Sequence, residues 1–144
     1  MNQPETPLQR VQRSFERQGL MRLLGAAVER VEHGICVLSL PYSDKVTQQQ
    51  GGFHGGAMGA LADIAAGYAG LTQTPAGMEV VTVEYKINFL ASCQGGNLLA
   101  TGRVTKAGKR VIVTAAEVVH IADDGRETAC AVLQQTLMAV PKTY

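Results

Sequence analysis

One stretch of this 144-residue chain limits its folding more than any other: residues 55–71, GGAMGALADIAAGYAGL. The stretch reads as a helix that is apolar on nearly every side. Such a helix has no face to give to water and must be enclosed. It also carries five glycines, each costing about 1 kcal/mol relative to alanine in a helix interior. The expected compensation is close backbone approach, a sheet wrapped so tightly round the helix that side chains have no room. Its single aspartate and its glycines make it a poor membrane span.

After residue 78 the period changes from helical to two. Val81, Val83, Tyr85, Ile87 and Phe89 alternate with Val80, Thr82, Glu84, Lys86 and Asn88, which predicts a long strand with one apolar face. Strands are expected at about 97–106, 110–121 and 126–139, turned at Lys106–Lys109 and at Asp123-Asp124-Gly125, the second a strong hairpin signal. Upstream, residues 26–32 and 35–41 read as extended and turn at His33-Gly34, and residues 43–54 have loop composition. Thr6-Pro7-Leu8-Gln9 has the form of a capped helix start. With Gly19 as its C-cap, it gives a helix over about 6–19 whose Arg10, Arg13 and Arg17 form a solvated face. One enclosed helix cannot cover both faces of a sheet. The expectation is therefore a single α+β domain over 1–144: a curved antiparallel sheet wrapped round the central helix, its outer face partly covered by another subunit.

Charge and cysteine usage narrow the function. Net charge is +1, charged residues make up 17% and hydrophobic residues 46%. No basic stripe offers itself to nucleic acid, and the low charge hints at apolar surface hidden in an oligomer. Cys36, Cys93 and Cys130 are odd in number and lack CxxC spacing, which reads as buried reduced thiols rather than a disulfide framework or a zinc site. The polar start MNQPETPLQR has no apolar signal core, so a cytoplasmic protein is expected. No metal site and no cofactor are expected.

Asp63 is the sharpest chemical feature. Between His54 and Glu79 it is the one residue normally charged at neutral pH, and its flanks are apolar. A carboxylate placed so is costly unless paired, solvated by a cleft or neutralised. Burial would raise its pKa toward that of a general base or acid. The plainer alternative is an aspartate at a solvated helix edge. Gly52-Phe53-His54-Gly55-Gly56 is the second feature. First-turn N–H groups lack internal partners, and glycines there let a carbonyl reach the bare backbone; the alternative is an ordinary helix start. Gly55 and Asp63 stand eight residues apart, roughly 12 Å along a helix at 1.5 Å per residue. A site using both would lie between two antiparallel copies of the helix in a two-fold dimer. His54 suits positioning or hydrogen-bond donation better than proton transfer, because a helix start disfavours a cation. His33 and His120 are expected at the surface. Thr82 stands on the strand face opposite Val81 and Val83. Lys106, Lys109 and Arg110 cluster round one turn, either as a solvated turn or as a site for phosphates.

His54-Gly55-Gly56, then Ala60-Leu61-Ala62-Asp63, then Gly67 resembles the HGG…LAD…G signature of the hotdog acyl-CoA thioesterases of the phenylacetate-degradation (PaaI-like) type. The strand VVTVEYKINFLASC and the hairpin TKAGKRV fit the same pattern, and the likeness covers about residues 35–140. It implies a hotdog fold, a homodimer or dimer of dimers, and acyl-CoA as substrate. It implies catalysis by Asp63 as general base or nucleophile, with the Gly55 N–H polarising the thioester carbonyl from the partner subunit and His54 shaping the site. Thr82 would orient the attacking group. Some members carry an asparagine six residues before the HGG histidine, near the attacking water; here that position is Gln48, beside Gln49 and Gln50. A non-catalytic acyl-CoA-binding or sensing module remains the alternative, and a hydratase a more distant one. Neither the acyl group nor the choice between CoA and acyl-carrier protein is legible.

Overall fold

The computed structural model describes residues 3–144; Met1 and Asn2, the start of the expected domain, lie outside them. At the N-terminus, Thr6 and Gln9 close a capping box: Thr6 Oγ1 accepts from Gln9 N–H at 3.2 Å and Gln9 Oε1 accepts from Thr6 N–H at 3.0 Å. The helix that follows, α1, covers Pro7–Phe15 and stops short of the expected end. Gly19 is not its cap but opens a second helix, α2 (Gly19–Leu24). Between them Gln18 is held extended while its side-chain amide donates to the Tyr68 hydroxyl at 2.7 Å, and this tertiary bond breaks the helical run.

The expected solvated arginine face is also corrected at Arg10. The half-buried Arg10 guanidinium donates to the carbonyls of Leu71 (3.1 Å), Thr74 (2.9 Å), Pro75 (3.0 Å) and Met78 (2.7 Å). It sits where the central helix ends and unpaired carbonyls carry the negative end of the dipole. Arg17 lies 4.5 Å from the Tyr144 ring centroid. Arg13, in an exposed pair with Glu5, and Arg17 are both exposed as expected.

Strands β1 (Ala27–Glu32) and β2 (Ile35–Pro41) form the first hairpin. A loop with one turn of 3-10 helix at Asp44–Val46 leads into α3, Gly55–Leu71. Then come β3 (Met78–Phe89), β4 (Asn97–Ala107), β5 (Val111–Ile121) and β6 (Glu127–Pro141). They make one antiparallel six-stranded sheet in the order β1-β2-β4-β5-β6-β3, wrapped round α3 as the hotdog arrangement requires. Leu61, Ala62, Ala65, Ala66 and Ala69 of α3 are fully buried against it. Cys36, Cys93 and Cys130 are buried free thiols, and burial pushes Cys36 and Cys130 up to about 12.

The tightest approach of helix and sheet comes from a glycine of the sheet. A Cβ on Gly102 of β4 would collide with the backbone of Ala65. Within α3, Gly70 fits the expectation of close packing, since a Cβ there would meet Leu137 Cδ1 at 2.5 Å, but Gly67 does not: a Cβ there would meet nothing within 4 Å.

The apolar face expected for β3 is split by a bulge. Its register against β6 runs Val80↔Ala139 and Thr82↔Leu137, then slips at Val83 to Tyr85↔Gln135, Ile87↔Leu133 and Phe89↔Ala131. Val80 and Thr82 therefore share the helix-facing side with Tyr85, Ile87 and Phe89. Val81 and Val83 turn outward and are exposed. His120, expected at the surface, is buried, because even-numbered positions of β5 face inward. Its Nε2 lies 2.8 Å from the Gly95 carbonyl oxygen. Since Gly102 meets backbone rather than a flexible side chain, Gly102→Ala should lower unfolding free energy by about 1–3 kcal/mol or more; denaturant titration showing unchanged stability would contradict the close approach.

Candidate active site

The sheet delivers three polar side chains to the middle of α3. Thr82 on β3 donates its hydroxyl to Asp63 Oδ1 at 2.7 Å. Gln135 on β6 directs its amide N–H to the same oxygen and lies 3.3 Å from Thr82 Oγ1 and 3.2 Å from the Asp63 carbonyl. Thr114 on β5 donates to Gln135 Oε1 at 2.9 Å, so the amide cannot turn over without losing both bonds. Gln135 and Thr114 are 0% exposed, so the amide that holds Asp63 is buried with its own partner, while Asp63 is half-buried and Thr82 exposed. The β3 bulge matters here: it lets Thr82 face the helix together with Tyr85, Ile87 and Phe89, of which Tyr85 and Phe89 remain exposed.

Both donors converge on Oδ1, and among the described residues none reaches Oδ2. Burial pushes the Asp63 carboxyl above its ordinary value, and the Thr82 and Gln135 bonds pull it partly back. The outcome is a half-buried carboxyl whose anion is disfavoured by burial, with one oxygen fixed and the other uncommitted. Beside it opens a cavity of about 550 Å³, walled by Ile64, Gly67 and Tyr68 of α3, Val80 of β3, and Ser14 and Tyr144 from the two ends of the described chain. Such an arrangement can take a proton from water or attack a carbonyl carbon directly.

The start of α3 is a separate feature. His54 is its N-cap, and His54 Nδ1 accepts from Gly56 N–H at 2.7 Å. A neutral His54 therefore carries its proton on Nε2, as an exposed donor. The Gly55 N–H has no acceptor among the described residues. The Phe89 ring lies over Gly55, where an added Cβ would come within 3.1 Å of Cζ. Gln48 is half-buried and turns back on its own loop, its Oε1 accepting from Gln50 N–H; Gln49 and Gln50 are exposed. Lys106, Lys109 and Arg110 are exposed round the β4–β5 hairpin and do not line the cavity beside Asp63. Within one chain, then, Asp63 and Thr82 meet, while Gly55, His54 and Gln48 form a second group at the helix start. Among the described residues, no group of three or more His, Cys, Asp or Glu could hold a metal ion, and no helix is long and apolar enough to cross a membrane.

The thioesterase superfamily model matches residues 50–128, which span α3, β3, β4 and β5 and include His54, Gly55, Asp63 and Thr82, while Gln48 and Gln135 lie outside the match. The chain belongs to the thioesterase superfamily. A curated relative from Saccharolobus solfataricus is 34% identical over 114 residues, 78% of this chain and 81% of the relative. The 1,4-dihydroxy-2-naphthoyl-CoA hydrolase of Listeria monocytogenes is 31% identical over 124 residues, covering 86% of this chain and 97% of that one. Among solved structures, a thioesterase family protein from Silicibacter pomeroyi superposes with TM-score 0.91 at 35% identity, covering 94% and 99% of the two chains. The E. coli PaaI protein of the phenylacetic acid degradation operon shares the fold, with TM-score 0.83 at 24% identity over 95% of each chain. The resemblance to hotdog thioesterases read from HGG…LAD is borne out.

Sequence reasoning missed Gln135 and Thr114. The signal was present: Ala131, Leu133, Gln135 and Leu137 are every second residue of one strand, and a glutamine on such an apolar face requires a buried partner.

The raised Asp63 pKa makes a stability prediction for this thioesterase. Between the ordinary value of 3.8 and the higher folded value, the folded state holds the proton more firmly than the unfolded chain. Stability therefore falls as pH rises through that window, and the cost is complete above it. An asparagine at this position would keep an oxygen for both donors and never ionise. Asp63→Asn should raise Tm at pH 7.5, with the gain shrinking toward pH 4; calorimetry showing a gain confined to low pH would reverse the sign.

Proposed function

We propose that this thioesterase hydrolyses acyl-CoA to the free acid and CoA at a site shared between two subunits, with Asp63 as general base or nucleophile. The observation that carries the reading is the Asp63 carboxyl, half-buried, fixed through Oδ1 by Thr82 and Gln135, with no partner on Oδ2 among the described residues, in the lining of the cavity. As base, Asp63 takes a proton from water as its oxygen bonds to the thioester carbon. The carbonyl becomes an oxyanion, then re-forms as the C–S bond breaks and CoA leaves as the thiolate. As nucleophile, the carboxylate bonds to the same carbon and expels the thiolate, and water cleaves the resulting anhydride. In either route the oxyanion needs a donor. The free Gly55 N–H fits that role, but at roughly 12 Å along its own helix it must come from the partner subunit.

The sheet edge supports such pairing. β3 is the last strand of the sheet, twelve residues long, with Val81, Val83, Tyr85 and Phe89 exposed. An edge of that length and apolarity invites pairing with another strand. Pairing with its own copy gives a homodimer, in which His54 and Gln48 of the partner subunit would stand beside Asp63, the histidine shaping the site and the glutamine holding water. A dimer of dimers would cover more of the outer sheet face. Lys106, Lys109 and Arg110, exposed on one hairpin, would meet the phosphates of CoA.

Thiol release from a panel of acyl-CoAs tests the activity. Wild type should release CoA, and Asp63→Asn should lose roughly 10²–10⁴-fold in kcat, while Glu84→Gln stays near normal. Binding of acyl-CoA without release would select the sensing module; near-normal turnover by Asp63→Asn would make the aspartate structural. Alanine at Lys106, Lys109 or Arg110 should raise KM with little change in kcat, and an unchanged KM in all three would remove the hairpin from the CoA site. Light scattering should give a dimer or tetramer; a stable, fully active monomer would rule out the shared site.

A further inference from the structure

The five glycines of α3 do not share one cause, and one of them has no structural cause within the chain. Gly70 is packed against Leu137, Gly55 lies under the Phe89 ring, and a Cβ on Gly56 would meet His54 Nδ1 at 2.9 Å. Gly59 would have the Tyr85 hydroxyl at 3.5 Å. Gly67 has nothing within 4 Å and its φ is ordinary for a helix. Alanine there would be accommodated and would favour the helix. Gly67 stands one turn after Asp63, at the i+4 position, so both project to the same side of α3. That side is the wall of the cavity that Asp63 itself lines.

We propose that Gly67 is the specificity-determining position of this site, its missing side chain leaving the room in which a ring-sized or branched acyl group lies. The proposal rests on the hydrolytic reading of Asp63 for its reaction but not for its geometry. An acyl group whose carbonyl carbon faces Asp63 must lead away along the helix, and the next turn on that face is Gly67. Ile64 and Val80 give apolar walls there. Beyond them the cavity is lined by a chain of hydrogen-bonded side chains. Gln18 donates to Tyr68, Tyr68 donates to Ser14 at 3.0 Å, and Tyr144 lies 3.0 Å from Ser14 and donates to Glu79 at 2.6 Å. The buried Tyr68 anchors this lining. Gly67 stands four residues from Asp63, roughly 6 Å along the helix axis, a span that a two-carbon acyl group is too short to cover and a benzoyl group is expected to reach.

The test compares wild type, Gly67→Ala and Gly67→Val on acetyl-CoA and benzoyl-CoA, with calorimetric binding of S-benzyl-CoA, a thioether that cannot be hydrolysed. Gly67→Ala should raise Tm by a few degrees, since it improves the helix without a clash. Gly67→Val should lower the ratio of kcat/KM for benzoyl over acetyl by about tenfold or more, the scale of a methylene-sized misfit in a pocket, and weaken S-benzyl-CoA binding in parallel while acetyl-CoA turnover persists. If wild type releases no thiol from either substrate, the proposed activity fails by itself, and the thioether binding still decides the subsite. Equal binding and an unchanged ratio in Gly67→Val would overturn the proposal. So would a Gly67→Val protein that loses its oligomeric state with both activities falling together, which would make the open face a subunit contact.

Discussion

Everything in this molecule depends on the enclosure of α3 by the sheet. The closest point, where Gly102 of β4 admits the backbone of Ala65, sets how far the strands can draw round the helix. That enclosure places Asp63, two residues earlier, half-buried beside the cavity. Partial burial makes the charged form costlier, and the fold answers with donors from β3 and β6 rather than with a counter-charge. An opposing cation would have held the pKa down; neutral donors satisfy one oxygen and leave burial to dominate the shift. The remaining strands serve this arrangement. β5 supplies Thr114 to fix the Gln135 amide, and the β3 bulge turns Thr82 inward without giving up the apolar positions that follow.

The N-terminal segment plays a comparable supporting part at the other end of the helix. Arg10 gathers the loose carbonyls where α3 ends, and Gln18 and Ser14 bind Tyr68. Arg10 holds the end of α3, and Ser14 and Gln18 line the cavity beside Asp63. A segment that looks like an accessory helix in sequence is thus part of the wall of that cavity.

Much of the fold was legible because its signals are local. The capping box at Thr6, the turn at His33-Gly34, the bounds of α3 and the alternation of β4 to β6 each rest on neighbouring residues, and the enclosed helix forced the layer arrangement. The aspartate was legible because a charge in an apolar run is conspicuous. The misreadings share a different cause. The break of α1 before Gly19, the clamp made by Arg10 and the burial of His120 follow from partners far away in the chain or from which strand face the sheet turned inward. The slip at Val83 is a register event between β3 and β6, and no local pattern announces it. Gln135 was visible as a polar residue on an apolar face, but its partner could be named only once β6 lay against α3. Gly67 was read with its neighbours as a packing glycine, and only the empty space beside it separates it from Gly70.

The central claim is that the ionisation of Asp63, displaced upward by burial, controls thioester cleavage. The most direct measurement sets two titrations of the same enzyme side by side: the carboxyl carbon of Asp63 followed by carbon-13 NMR, and kcat/KM for an acyl-CoA across the same pH range, which reports ionisations of the free enzyme. The expected result is one shared inflection above the ordinary carboxylate value of 3.8, with activity rising as the carboxylate forms. An acid limb that follows some other group, while Asp63 titrates elsewhere or at its ordinary value, would contradict it.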